Sequence, residues 1–307
     1  MARFIGRRLL HFIPVLFVVV TLTFFLVRLA PGGPFDAEKA RSEEALAQIE
    51  RVYNLDAPLH RQYLDYLAGL IHGDLGPSLQ KPERTVTEWI LLRLPVSLEL
   101  GVYALVVALG IGLTAGVIAA LRPNTFTDHA PMSFAMVGIC IPNFVLGPVL
   151  VLVFALWLGW FGVEGWGAAS EKVLPSITLG ATYAAYIARM TRGSMLEVLS
   201  QDFIRTARAK GLSEARVVLR HGLRGGLQPV VAFLGPAAAG LLSGSFVVER
   251  IFQVPGLGQE FVMAARNRDY TMVMGTVLFF AVLIMLFNLF VDIAQAWMDP
   301  RIRHERA

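Results

Sequence analysis

The chain of 307 residues is 55% hydrophobic and only 16% charged, with a mean hydropathy of +0.59. Soluble domains run nearer one quarter charged, so an ordinary soluble globular protein is excluded. The net charge of +4 does not argue for nucleic acid, because the basic residues gather in a few loops, and the single cysteine, Cys140, lies in an apolar run, against disulfides and cysteine-ligated metals.

At the N-terminus Arg3, Arg7 and Arg8 precede the apolar stretch Phe12–Val27. That stretch is long for a signal peptide, and Arg28 and Pro31 stand where cleavage would have to occur. An uncleaved signal-anchor helix is expected. Five more apolar segments follow at about Leu98–Leu121, Pro131–Leu158, Val173–Ala188, Leu227–Val248 and Met272–Trp297. Their length fits helices that cross a bilayer and their patterning fits no strand. The expected fold is therefore an all-α integral membrane protein with about six transmembrane helices. Gly112 and Gly116 form a small-xxx-small pair suited to close helix contact. Pro142 and Pro148 fall inside the third span, where neighbours or water must satisfy the freed carbonyls. The fourth span is short unless it continues past Arg189 into the interface.

Lys and Arg in the connecting loops set the orientation. With six spans, one side holds Arg3, Arg7, Arg8, Arg122 and the C-terminal Arg301, Arg303 and Arg306. The same side holds Arg189, Arg192, Arg205, Arg208, Lys210, Arg216, Arg220 and Arg224, against Glu197, Asp202 and Glu214. Both termini are thus expected in the cytoplasm of a bacterial cell, with the chain in its inner membrane. The opposite side carries Pro31–Pro95, too polar for lipid and too long for a tight connection. Its helical stretch Ser42–Tyr53, with Tyr53, Leu55, Tyr63, Tyr66 and Leu67, reads as a small outer subdomain.

The cytoplasmic loop Leu199–Gly226 holds most of the functional information. Phe203, Ala207 and Lys210 follow one helical face, Gly211 breaks the helix, and a second helix begins with Ser213 as N-cap and Glu214 in its first turn. Two readings stay open on the residues alone. The basic helices suit an anionic lipid surface, and a glycine joining two short helices suits the groove of a partner protein.

The run Asp202-Phe203-Ile204-Arg205-Thr206-Ala207-Arg208-Ala209-Lys210-Gly211-Leu212 resembles the cytoplasmic motif of ABC-importer permease subunits. The continuation Leu219-Arg220-His221-Gly222-Leu223 to Pro229-Val230 fits the same pattern. Matching stretches extend over nearly the whole chain: Arg28-Leu29-Ala30-Pro31-Gly32, His72-Gly73-Asp74-Leu75-Gly76-Pro77-Ser78, Gly116-Val117-Ile118-Ala119-Ala120, Arg192-Gly193-Ser194-Met195, Pro255-Gly256-Leu257-Gly258, Asn267-Arg268-Asp269-Tyr270 and Asp299-Pro300-Arg301. The resemblance is to the dipeptide/oligopeptide branch, nearest the B-type permeases of oligopeptide importers. The general motif opens Glu-Ala-Ala, where this chain has Arg205-Thr206-Ala207. His221 and Arg224 stand where it has a hydrophobic residue and a proline, a departure typical of the peptide branch.

The resemblance implies a type I ABC importer permease, with an N-terminal region at 1–95 and a permease core at 96–307. It implies a second homologous permease, two ATPase subunits, an extracytoplasmic peptide-binding protein and a peptide substrate as partners, besides membrane lipid and without nucleic acid. No phosphate-cradling G-x-x-x-x-G-K-[ST], zincin H-E-x-x-H or nucleophile-elbow pattern occurs in the chain, so it is not expected to be an enzyme. ATP and Mg would be bound by the partner ATPases and no cofactor by this chain.

Asp202, Phe203, Arg205, Ala207, Lys210, Gly211 and His221 are then the ATPase-coupling candidates. Asn143, Tyr183, Tyr186, Ser243, Ser245 and Asp292 are candidates for the translocation path, because polar groups within spans carry function by default. Packing is the simpler role for the tyrosines, and an inter-helix bond serves equally for Asp292. Glu249, Pro255, Gly256 and Gly258 are candidates for docking the binding protein, with a local ion pair as the alternative for Glu249. A same-family permease for nickel or glutathione-like solutes is the nearest other function. A stand-alone secondary transporter or membrane-embedded enzyme is the alternative of another class.

Overall fold

The computed structural model describes residues 2–29 and 55–298, with the side chains of 2–4, 242–244 and 294–298 outside that description. The expected helix Ser42–Tyr53 lies outside the described residues. Among the described residues there is no strand, only a bridge between Pro77 and Thr85. The chain divides into two compact units, one from Met1–Ser97 and Pro255–Met285, the other from Leu98–Val254 and Leu286–Ala307.

The first unit contains α1 (Ala2–Leu29), α2 (Leu59–Ile71), the start of α3 (Val86–Leu121), α10 (Leu257–Arg266) and the start of α11 (Tyr270–Met298). Sequence reasoning did not single out α2, although Pro58 precedes it and Tyr63, Tyr66, Leu67 and Leu70 recur at helical spacing. Tyr63 and Tyr66 lie against Phe24 of α1, and the Tyr63 hydroxyl is 2.7 Å from that of Thr21. Asp269, 2% exposed, caps α11 by accepting from Met272 N at 3.1 Å. It also accepts from Ser78 Oγ and from the amides of Leu79 and Gln80, at 3.2 and 3.3 Å, which ties the His72–Lys81 segment to that helix start. Glu260 of α10 takes Lys81 at 2.7 Å and Arg93 at 3.0 Å.

The second unit holds the rest of α3, then α4 (Phe126–Cys140), α5 (Asn143–Leu150) with a wider π turn over Val151–Trp157, and α6 (Ala169–Leu199). After these come α7 (Asp202–Ala209), α8 (Glu214–Arg216) continuing through a π segment Val217–Gly222 to Leu223–Gly226, α9 (Gln228–Ile251) and the end of α11. The expected span Pro131–Leu158 is broken: α4 and the helix after it meet at 111°. Pro142 has no amide hydrogen to donate and pushes Ile141 to φ −99°, ψ 116°, outside the helical region. The expected short span Val173–Ala188 belongs to a helix of 31 residues. At 1.5 Å per residue it is about 46 Å long, more than a bilayer core.

Three described helices are long and apolar enough to cross a membrane, and five if each of two bent pairs counts as one span. The polar α6 is not among them, and much of its length is buried. It meets α3 as the glycine spacing predicts. A Cβ on Gly112 would lie 2.7 Å from the Ala184 carbonyl oxygen, and one on Gly116 2.6 Å from that of Ala188. Gly116→Val is therefore expected to destabilise the chain by about 1–3 kcal/mol. Gly110→Val, with open space around it, should be milder. Thermal unfolding in detergent would compare the two, and equal midpoints would contradict the close contact.

Candidate functional site

The loop read as a docking element folds as a hairpin of helices carried on the end of α6. Its first arm, α7, buries Ile204 and Ala207 against Val217, with Leu199 and Leu212 around them. This corrects the expected face of Phe203, Ala207 and Lys210. Positions three apart (204 and 207) point inward, which turns Phe203 outward at 47% exposure. Ala207, 6% exposed, shapes the hairpin from inside and is not available to touch a partner. Asp202, Arg205, Lys210 and Gly211 are exposed, and His221 is half-buried.

The turn is a left-handed helix cap. Gly211 has φ +76°, its amide donates to Arg208 O at 2.9 Å, and Leu212 N reaches Ala207 O at 3.4 Å. These two bonds satisfy carbonyls at the end of α7, and Leu212 drops into the apolar cluster below. Ser213 occupies the expected N-cap position of α8, but its side chain makes no capping bond. Arg208 instead bridges the turn to Glu214, Nη2 to Oε1 at 2.6 Å and Nε to Oε2 at 3.1 Å. That guanidinium holds the Glu214 carboxyl below its usual range. Both side chains are about half exposed, so the pair adds little stability.

The second arm lies on α6. Ser194 Oγ donates to Gly226 O at 2.5 Å, and Cβ atoms on Gly222 or Gly226 would meet Met195. Val217, Val218 and Gly222 are buried, leaving Leu219 65% exposed. Sequence reasoning passed over Leu219, yet three consecutive apolar residues on a helix cannot all face inward. Phe203 and Leu219 are thus two large apolar side chains exposed on an otherwise charged hairpin.

Of the path candidates, Asn143 opens α5 at the break, with Thr182 Oγ1 3.4 Å from its Oδ1 and 2.9 Å from the freed carbonyl of Gly138. Tyr183 and Tyr186 both lie near Phe233 of α9, at ring separations of 6.4 and 6.0 Å, and Tyr186 is 43% exposed. Ser245 is buried and donates to Glu249 at 2.9 Å. Ser243 lies outside the described side chains, and Asp292 is half-buried towards the end of α11. Beside the break is an apolar cavity of about 380 Å³, lined by Phe134, Val137, Leu146, Phe154 and Ile177 among others.

The docking candidates near residue 255 are corrected. Glu249 is 0% exposed and Gly256 and Gly258 are buried, so they present no surface to another protein. Pro255 is half-buried and its carbonyl accepts from Arg93 at 3.4 Å, while Leu257 N donates to Ser97 at 2.8 Å. The segment packs because its amides and carbonyls are used inside the first unit.

Among the described residues no group of three or more His, Cys, Asp and Glu side chains could hold a metal ion. A family model described as the binding-protein-dependent transport system inner membrane component matches residues 112–304, and its N-terminal companion matches residues 1–101. The chain belongs to this permease family. The oligopeptide transport system permease protein of Haemophilus influenzae is 48% identical to this permease over 306 residues, 99% of this chain and 100% of the relative. That of Salmonella typhimurium is equally similar, and the dipeptide transport system permease protein of Bacillus subtilis is 45% identical over 303 residues, 99% of this chain and 98% of the relative.

Among solved structures, an inward-facing methionine ABC transporter matches with a TM-score of 0.56 at 21% identity, covering 70% of this chain and 97% of that one. An amino acid ABC transporter gives 0.53 at 15% identity, covering 68% and 94%. These likenesses show the fold, that of type I ABC importer permeases. The permease is a multi-pass inner-membrane transport component rather than an enzyme, and membership implies ATPase and binding-protein partners.

Gly211→Val would place a β-branched side chain in the left-handed region, at a cost of about 1–2 kcal/mol. The hairpin is expected to be nicked faster by protease in the detergent-solubilised protein while membrane insertion is unchanged. Unaltered nicking would remove the reason given for this glycine.

Proposed function

We propose that this chain is half of the translocation pathway of an ATP-driven peptide importer. The observation that carries this reading is the hairpin Asp202–Gly226, rigidly seated on α6, with Phe203 and Leu219 exposed among charged residues. Exposed apolar anchors rimmed by charge are what a groove in a partner protein captures. Peptides are the proposed substrate because the full-length relatives are oligopeptide and dipeptide permeases.

Six spans with both termini cytoplasmic put the hairpin on the side where ATP is available, by the distribution of Lys and Arg. Two ATPase subunits would hold ATP and Mg, a second permease would complete the pathway, and an outer binding protein would deliver peptide. Asp202, Arg205, Lys210 and His221 would contribute to the hairpin's polar rim. Movement of the hairpin as the ATPases close would rock the spans between inward- and outward-facing states, which requires that ATP binding favour one state. Asn143, Tyr183, Tyr186 and Ser245 stand on the helices that would line the path.

Phe203→Asp is expected to abolish co-purification of the ATPase from mild detergent while leaving the chain in the membrane. Retained ATPase would count against docking through this face. Deletion of the chain in cells with no redundant importer is expected to end uptake of radiolabelled trialanine. Undiminished uptake with loss of nickel or glutathione accumulation would replace the substrate and keep the machine.

A further inference from the structure

The ion pair between Asp128 and Arg192 is a strongly built polar contact in the second unit. Asp128, in the first turn of α4, is 1% exposed. Arg192, on α6, takes it in a two-pronged grip, Nε to Oδ1 at 2.6 Å and Nη2 to Oδ2 at 2.7 Å. Asp128 Oδ2 also accepts Asn124 N at 2.8 Å, and Asn124 has the left-handed φ of +61°. The carboxylate therefore fixes the turn before α4 as well as α4 itself.

Within one turn of Arg192, α6 also holds the hairpin, through Ser194 on the Gly226 carbonyl and Met195 beneath Gly222 and Gly226. At its other end α4 is tied to α6 again. Thr182 donates to Gly138 O at 2.9 Å, and a Cβ on Gly138 would overlap the Ala181 carbonyl. The 15 residues of α4, about 22 Å of helix, are pinned to α6 at both ends. Immediately beyond lies the break at Ile141–Pro142.

Packing alone does not require this pair, since Ala135, Ala185 and Ala188 already share one apolar cluster. A bidentate guanidinium–carboxylate contact adds a fixed angle that small apolar residues cannot set. We propose that Asp128 and Arg192 are positioning residues for transport. They join α4 to the hairpin-bearing end of α6 so that both move as one body, which ends at the break at Ile141–Pro142. This inference rests on the docking role proposed for the hairpin.

The test uses the assembled transporter in membrane vesicles. In a Cys140→Ser background, Ala135→Cys with Ala185→Cys is expected to form its disulfide at the same rate without nucleotide and with ATP and vanadate. Rates that differ between the two states overturn the single body. Asp128→Asn is expected to keep its membrane level, its bound ATPase and ATP hydrolysis, while trialanine uptake per ATP falls roughly ten-fold, the size of an ordinary coupling free energy between sites. The double exchange Asp128→Arg with Arg192→Asp should recover part of that loss. Full transport efficiency in Asp128→Asn, or an equal fall in hydrolysis and uptake, overturns the positioning role, and the cysteine pair decides if that variant does not fold. An unaltered chain that holds no ATPase would sink the docking reading alone, whereas unequal cross-linking with ATPase bound would sink the joint alone.

Discussion

The second unit depends on how closely α6 can be approached. This helix carries Ser176, Thr178, Thr182, Thr191 and Ser194 along its length, too polar a face for lipid. It is held because α3 and α4 bring glycine to it, so that backbones meet where side chains would otherwise intervene. Without a hydrophobic force between helices in lipid, close van der Waals contact and hydrogen bonding are what remain to assemble them. Ser176 and Thr178 turn their hydroxyls back onto the helix, to Lys172 O at 2.6 Å and Leu174 O at 2.7 Å, while Thr182 and Ser194 donate to neighbouring segments, to Gly138 O at 2.9 Å and Gly226 O at 2.5 Å. A polar helix thereby becomes a buried one, and it is the element from which both α4 and the hairpin hang.

That arrangement explains what could be read in the sequence and what could not. Local rules with a single steric cause were legible. Gly211 had to sit at a turn because the helical pattern changes phase there, and Gly112 and Gly116 had to face a neighbour because they share one side of a helix. The break at Pro142 was only half legible: proline announces a freed carbonyl, but Thr182, forty residues later, decides that the helix can bend there. Ala207 was grouped with the exposed Phe203 because an eight-residue helix has too few positions to define its buried face. The buried face became clear only once Val217 and Leu212, from beyond the turn, were seen against Ile204 and Ala207. Glu249 and the Pro255–Gly258 segment were expected to be open to a docking protein because they fall in the last outer loop. Glu249 is instead buried beside Ser245, and the Pro255 carbonyl and the Leu257 amide are used by Arg93 and Ser97.

The docking role proposed for the hairpin accounts for how it is built. An element that must transmit movement to a helix cannot itself be loose, since ordering it on contact would consume the interaction that drives the movement. The surface pair of Arg208 and Glu214 is too exposed to supply that rigidity. Rigidity comes from inside: a small residue at 207 lets the two arms close, Leu212 anchors the turn, and Met195 seats the second arm on α6. Only after these interior positions are filled do the outward residues, Phe203 and Leu219, stand at fixed places. On the proposed docking, a partner that grips them would act on α6 directly, and through the pair at Asp128 and Arg192 on α4 as well.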